Sequence, residues 1–137
     1  MNFYRPKHFK IQELVPPEVY NSLGERSWLV LDPRIVVSLD QLREHFGPCT
    51  VNNWHSGGTL HYRGFRPSDC KVGAQFSQHR FGRAMDCSFN ASAPIVREYI
   101  LANRDNFPFI TRMEDDVSWV HIDCGDHGDD DIQVFKP

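Results

Sequence analysis

The sequence predicts an α+β domain, an antiparallel sheet carrying its helices on one side. Two observations predict it. Short β-like segments at residues 49–54, 84–89, 109–113, 119–123 and 132–135 are distributed among two helical patterns at 33–46 and 94–103. The chain has 137 residues, 40% of them hydrophobic and 24% charged, which is the size and balance of one soluble globular unit able to bury a core. No repeat, low-complexity tract or linker divides it, so residues 1–137 read as a single domain.

Taken in order, residues 9–14 suit a short helix stopped by Pro16 and Pro17, which cannot continue a helical hydrogen-bond ladder. Asp32 then reads as an N-cap with Pro33 at the first helical position. Ile35, Val36, Leu39, Leu42 and Phe46 follow at helical spacing until Gly47-Pro48. Residues 49–54 are strand-like. A loop rich in Gly, Ser, Pro and Arg runs from 55 to 77, and so long a loop in a compact domain is usually functional or disordered. The segment 84–89 reads as a strand and 94–103 as a helix with Ile95, Tyr99 and Ile100 facing inward. Three closing strands complete the order. Trp28 and Trp54 are expected in the core, and His8, His45 and His61 at the surface or in packing. The acidic stretch GDHGDDD is expected as a solvated turn, since it lacks the twelve-residue pattern of a calcium loop.

The chemistry concentrates in two places. SQHRFGRAMD holds His79 and Asp86, with Gly82 between them to let the chain turn tightly. Downstream, WVHID puts Trp119, His121 and Asp123 on one face of a strand and Val120 and Ile122 on the other. Zinc takes imidazole nitrogen and carboxylate oxygen, and a catalytic site uses three protein ligands and leaves the fourth position to water. His79, Asp86 and His121 meet that description, with one Zn²⁺ per chain. Asp123 shares the face of His121 and would orient a ligand or a substrate group from behind.

The pattern S-x-H-x-x-G-x-A-x-D, carried by Ser77, His79, Gly82, Ala84 and Asp86 and followed by W-x-H at Trp119 and His121, resembles the signature of the zinc D-alanyl-D-alanine carboxypeptidase family. That family groups with lysostaphin-type peptidases and the hedgehog domain, and includes phage endolysins and bacterial dipeptidases. A chance match to the five fixed positions is on the order of one in ten thousand, so the first motif carries the resemblance and W-x-H adds to it only by its position. The motif-bearing part covers roughly residues 50 to 124. The resemblance implies a hedgehog/DD-peptidase-like fold and a zinc peptidase acting on the stem or cross-link peptides of bacterial peptidoglycan, with phage-encoded wall enzymes as the similar small proteins.

The resemblance also implies a carboxylate base and a cation. Many members place the acid three residues before the last histidine, where Ser118 stands here; others place a Glu about six residues before it. Glu114 is the first choice for the base and Asp116 the second, with a solvated turn as the alternative for the acidic triplet Glu114-Asp115-Asp116. Related enzymes often carry an Arg after the first strand, where this chain has Asn53-Trp54-His55-Ser56. His55 would take that role, or Arg63 or Arg66 from YRGFR, since a guanidinium pairs well with a carboxylate. Two other functional classes fit the same residues: a zinc-retaining structural or recognition module, favoured by Ser118, and an intracellular dipeptidase with a pocket narrowed by the 55–77 loop.

A net charge of -3 and pI near 6.1 provide no basic field, so no nucleic-acid partner is expected. No run approaches a membrane span, and MNFYRPKHFK has no apolar core of signal-peptide length. A cytoplasmic protein is expected, in a host cytoplasm or virion if phage-encoded. The four cysteines Cys49, Cys70, Cys87 and Cys124 show no C-x-x-C spacing and read as free thiols in a reducing compartment, with a Cys87–Cys124 disulfide as the alternative.

Overall fold

A computed structural model describes residues 4–137. Among the described residues three α-helices are formed: α1 (Pro17–Leu23), α2 (Pro33–Phe46) and α3 (Ala93–Ala102). Five strands make one sheet: β1 (Cys49–Thr50), β2 (Ala84–Phe89), β3 (Arg112–Glu114), β4 (Val120–Asp123) and β5 (Gln133–Phe135), in the order β1-β2-β4-β3-β5. The domain is α+β, as expected. The sheet is mixed rather than antiparallel, because β5 runs parallel to β3 while every other pairing is antiparallel. The cause is positional: β3 already fills the second edge of β4, so the chain leaving β4 must pass it and add to the outer edge of β3.

α2 forms as its sequence dictates. The Asp32 carboxylate accepts the Arg34 N–H at 3.0 Å, Pro33 sits at the first turn, and Gly47 ends the helix at φ 81°. Its buried stripe of Ile35, Val36, Leu39 and Leu42 joins Val96 and Ile100 of α3 against Met85, Cys87, Met113, Val120 and Ile122 of the sheet. Strand alternation assigns these sheet residues to one face and leaves Asp86, Glu114, His121 and Asp123 on the other. α2 and α3 therefore cover one side, and the polar cluster occupies the opposite side.

Several segments depart from expectation. The helix over 9–14 is one 3-10 turn, Ile11–Glu13, and Pro17 starts α1 instead of only stopping what precedes it, since proline suits a helix's first position. The strand over 49–54 narrows to Cys49–Thr50. After it, Asn52 turns inward, its side chain donating to the Val15 carbonyl at 3.2 Å and accepting the Arg63 N–H at 2.9 Å. On α3 the inward face is Ala93, Val96, Arg97 and Ile100. Ile95 falls off that stripe and is 56% exposed. Trp28 and Trp54 are half-buried, the latter donating its indole N–H to the Val15 carbonyl at 2.9 Å.

All four cysteines are free. The Cys87–Cys124 alternative fails on register: Cys87 lies opposite Val120, whereas Cys124 lies at the far end of β4 and donates to the carbonyl of Arg83 at 3.7 Å.

Candidate metal centre

His79 is set by the 3-10 turn Gln78–Phe81. Ser77 caps this turn, its hydroxyl accepting the His79 N–H at 3.3 Å, and Gly82 closes it at φ 69°. A Cβ on Gly82 would run into the carbonyl oxygen of Val30, so this glycine serves both the turn and the close approach of the N-terminal third. The His79 ring then has one orientation. Nδ1 faces the Gly64 carbonyl at 2.8 Å, which turns Nε2 towards Asp86 Oδ1 at 3.3 Å.

The sheet register brings in the rest. Asp86 on β2 and Glu114 on β3 are the cross-strand neighbours of His121 on β4, so three ionisable residues stand in one row across the sheet. His121 Nδ1 lies 2.8 Å from Asp86 Oδ1, and its Nε2 lies 2.8 Å from Asp123 Oδ2. Asp123 is fixed in turn by the Gly125 N–H at 3.0 Å and by Arg112, 3.7 Å away.

His79, Asp86 and His121 are 2%, 7% and 6% exposed, and their candidate donor atoms all lie within 4.8 Å of one another. Zinc bonds of 2.0–2.2 Å at tetrahedral angles hold donor atoms about 3.4 Å apart. The 3.3 Å between His79 Nε2 and Asp86 Oδ1 is close to that value, whereas the 2.8 Å between His121 Nδ1 and Asp86 Oδ1 is a hydrogen bond that would lengthen to admit an ion. The donor set of two imidazole nitrogens and one carboxylate, with each histidine's other nitrogen occupied by a carbonyl or a carboxylate, fits a divalent ion of the zinc type.

Electrostatics reinforce the grouping. Burial alone would raise the Asp86 carboxyl, but hydrogen bonds from His121 and His79 overcome it and hold the group well below the usual carboxylate range. Burial likewise pulls the His121 imidazolium down, yet the hydrogen bonds to Asp123 and Asp86 outweigh that and raise it to about 9.

The cluster opens into a cleft of about 520 Å³, lined on one side by residues 72–79 and on the other by Glu114, Trp119 and Phe135. Of the other residues singled out by sequence, Ser77, Glu114 and Asp123 line this cleft. Arg66 does too, its guanidinium 3.4 Å from Asp86 Oδ2. Arg63 lies in an adjoining hollow with Leu60 and Ser118 and reaches Ser88 at 3.3 Å. His55 is exposed in the 3-10 turn Trp54–Ser56 and is not brought to the cleft. Asp116, at φ 58°, pairs with Lys136 at 2.7 Å on an exposed turn away from it.

Gly64, Arg112 and Phe135 join the site without having been marked by type or spacing. Arg112 stands two residues before Glu114 on the same strand face and lies over the Phe135 ring at 4.4 Å, so strand alternation was the signal for it. No family model, curated protein or solved structure matches the chain.

Proposed function

We propose that this protein is a zinc-dependent peptidase that hydrolyses amide bonds in the stem or cross-link peptides of bacterial peptidoglycan, built on the sheet of the hedgehog and DD-peptidase group. The observation that carries the reading is the row Asp86, His121, Glu114, with His79 closing it from the Gln78–Phe81 turn. A structural ion pair needs no carboxylate beside it facing an open cleft; a hydrolase does.

His79 through Nε2, Asp86 through Oδ1 and His121 through Nδ1 would hold the ion. Zinc bound there supplies a Lewis acid and a water of lowered pKa. The Asp123 carboxylate keeps Nδ1 of His121 turned to the site by receiving Nε2–H. Glu114 is the general base: its carboxylate takes the proton of the attacking water and returns it to the leaving amine nitrogen. Arg66 stands on the opposite side of Asp86 and meets the charge developing on the carbonyl oxygen. The peptidoglycan substrate, the phage connection and a cytoplasmic or virion setting rest on the resemblance of the S-x-H-x-x-G-x-A-x-D and W-x-H motifs.

Metal content and hydrolysis of purified peptidoglycan, compared for wild type, His121→Ala and Glu114→Gln, test the proposal. One zinc per chain is expected in wild type and Glu114→Gln, with strong loss in His121→Ala. Glu114→Gln should lower kcat by about 10²–10⁴-fold. A second reading, a zinc-retaining recognition module, is favoured by Ser118, which occupies the usual acid position and lies outside the cleft. Tight zinc with no new amino groups released by wild type would select it.

A further inference from the structure

Residues 66 to 79 form a closed loop over one side of the cleft. Its ends are tied by the Arg66 N–H donating to the His79 carbonyl at 3.1 Å, the geometry of an Ω-loop. Its interior is filled by one side chain from just beyond it. Arg80 donates from Nε to the Ala74 carbonyl at 3.1 Å, from Nη1 to Ser68 at 2.9 Å and Pro67 at 3.4 Å, and from Nη2 to Cys70 at 2.6 Å. Four carbonyls spread over the loop thus converge on one planar fork, a task a lysine ammonium cannot match in geometry or donor number.

The clamp has a purpose visible at the rim. Phe76 is 74% exposed and Val72 47% exposed, and both line the metal cleft. A floppy loop would expose apolar groups by accident, whereas this one holds them out by a dedicated set of hydrogen bonds. Gly73, at φ 80°, lies so close to the Arg66 guanidinium that a Cβ there would collide with it, so the loop also backs the cation beside Asp86. Position 80 is not fixed by the S-x-H-x-x-G pattern, and the zinc chemistry makes no use of it.

We propose that residues 66 to 79 are a preformed substrate shelf, pinned by the positioning residue Arg80, on which Val72 and Phe76 receive an apolar side chain of the substrate residue flanking the scissile amide. The proposal rests on the peptidase reading and adds a specificity to it. Pinning matters because a shelf ordered before binding spares the substrate the cost of ordering it.

The test uses metal-loaded Arg80→Ala, Arg80→Lys and Phe76→Ala beside wild type. Metal per chain, hydrogen exchange over residues 67–76, Kd for soluble stem peptides released from purified peptidoglycan, and KM and kcat on the same peptides are measured. Both Arg80 variants should keep the metal, exchange faster over the loop, and raise Kd and KM about tenfold with kcat within about twofold. Phe76→Ala should keep wild-type exchange and raise Kd and KM to a similar degree. An unchanged Kd in Phe76→Ala, or a loosened loop with unchanged Kd in the Arg80 variants, overturns the shelf. A wild type that binds the peptides but releases no amino groups sinks the peptidase reading and leaves the shelf to be decided by Kd. One that neither binds nor cleaves sinks both.

Discussion

His121 stands between two carboxylates, one at each ring nitrogen, and this decides how the site responds to pH. Its folded value is raised, so without metal it contributes stability that is complete below the ordinary histidine value near 6.5 and is lost as pH rises through about 9. Asp86 works in the opposite direction: its lowered value contributes stability above about 3.9 that fades as pH falls. The melting temperature of the metal-free protein should therefore decline between pH 7 and 9, a trend that thermal unfolding in the presence of chelator will show. A metal ion held by His121 must displace its proton, so under the proposed function the apparent zinc affinity should climb with pH up to about 9. Calorimetric titration in two buffers of different ionisation enthalpy should report about one proton released at pH 7; no release would mean a neutral His121. The grouping of His79, Asp86 and His121 was legible, because these are metal-ligating residue types and their motif is compact. Gly64 was not, since what it offers His79 is a main-chain carbonyl, and any residue type carries one.

Gly82 is where one element must yield to another. It closes the turn that carries His79 at φ 69° and lies against the backbone of Val30, so Gly82→Ala combines left-handed strain with a collision. The strain alone should cost about 1–3 kcal/mol in chemical denaturation, with zinc affinity falling as well because His79 moves with the turn. On the other side of the sheet, Met113 is fully buried on β3 between the helices and the cleft, and Met113→Ala should lose about 2–5 kcal/mol by urea titration. The elements most legible in sequence were those whose signals are local: α2 from its cap, proline and stripe, and β2 and β4 from alternation. β5 was placed nearly in its correct residues but given the wrong direction, because its partner is chosen by which edge of β3 is free, and no local pattern records that. Ile95 was assigned inward with Tyr99 and Ile100, while the buried stripe of Ala93, Val96, Arg97 and Ile100 sets the rotation of α3 and keeps only Ile100 of the three fully buried.

The whole molecule is a sheet with two unlike faces. One is packed by α2 and α3 and contains the apolar core; the other carries charge and the cleft. The N-terminal third, whose function no motif suggests, presses on both supports of the site: Leu14 against Gly64 and Val30 against Gly82. Among the described residues no helix is long and apolar enough to cross a membrane. Because the core lies on the far side of the sheet from the ligands, chelation should leave far-UV circular dichroism nearly unchanged while lowering the melting temperature. Bound zinc at a free concentration 1,000 times its Kd is worth about 4 kcal/mol. Loss of secondary structure on chelation would contradict this division of labour. The His121 proton then acquires a meaning in time. The His121 imidazolium lies between the Asp86 and Asp123 carboxylates with Arg66 and Arg112 beside them, so the cluster carries its own counter-charges, and the chain is expected to finish folding with no ion at hand and to take up a metal as a later, separate event.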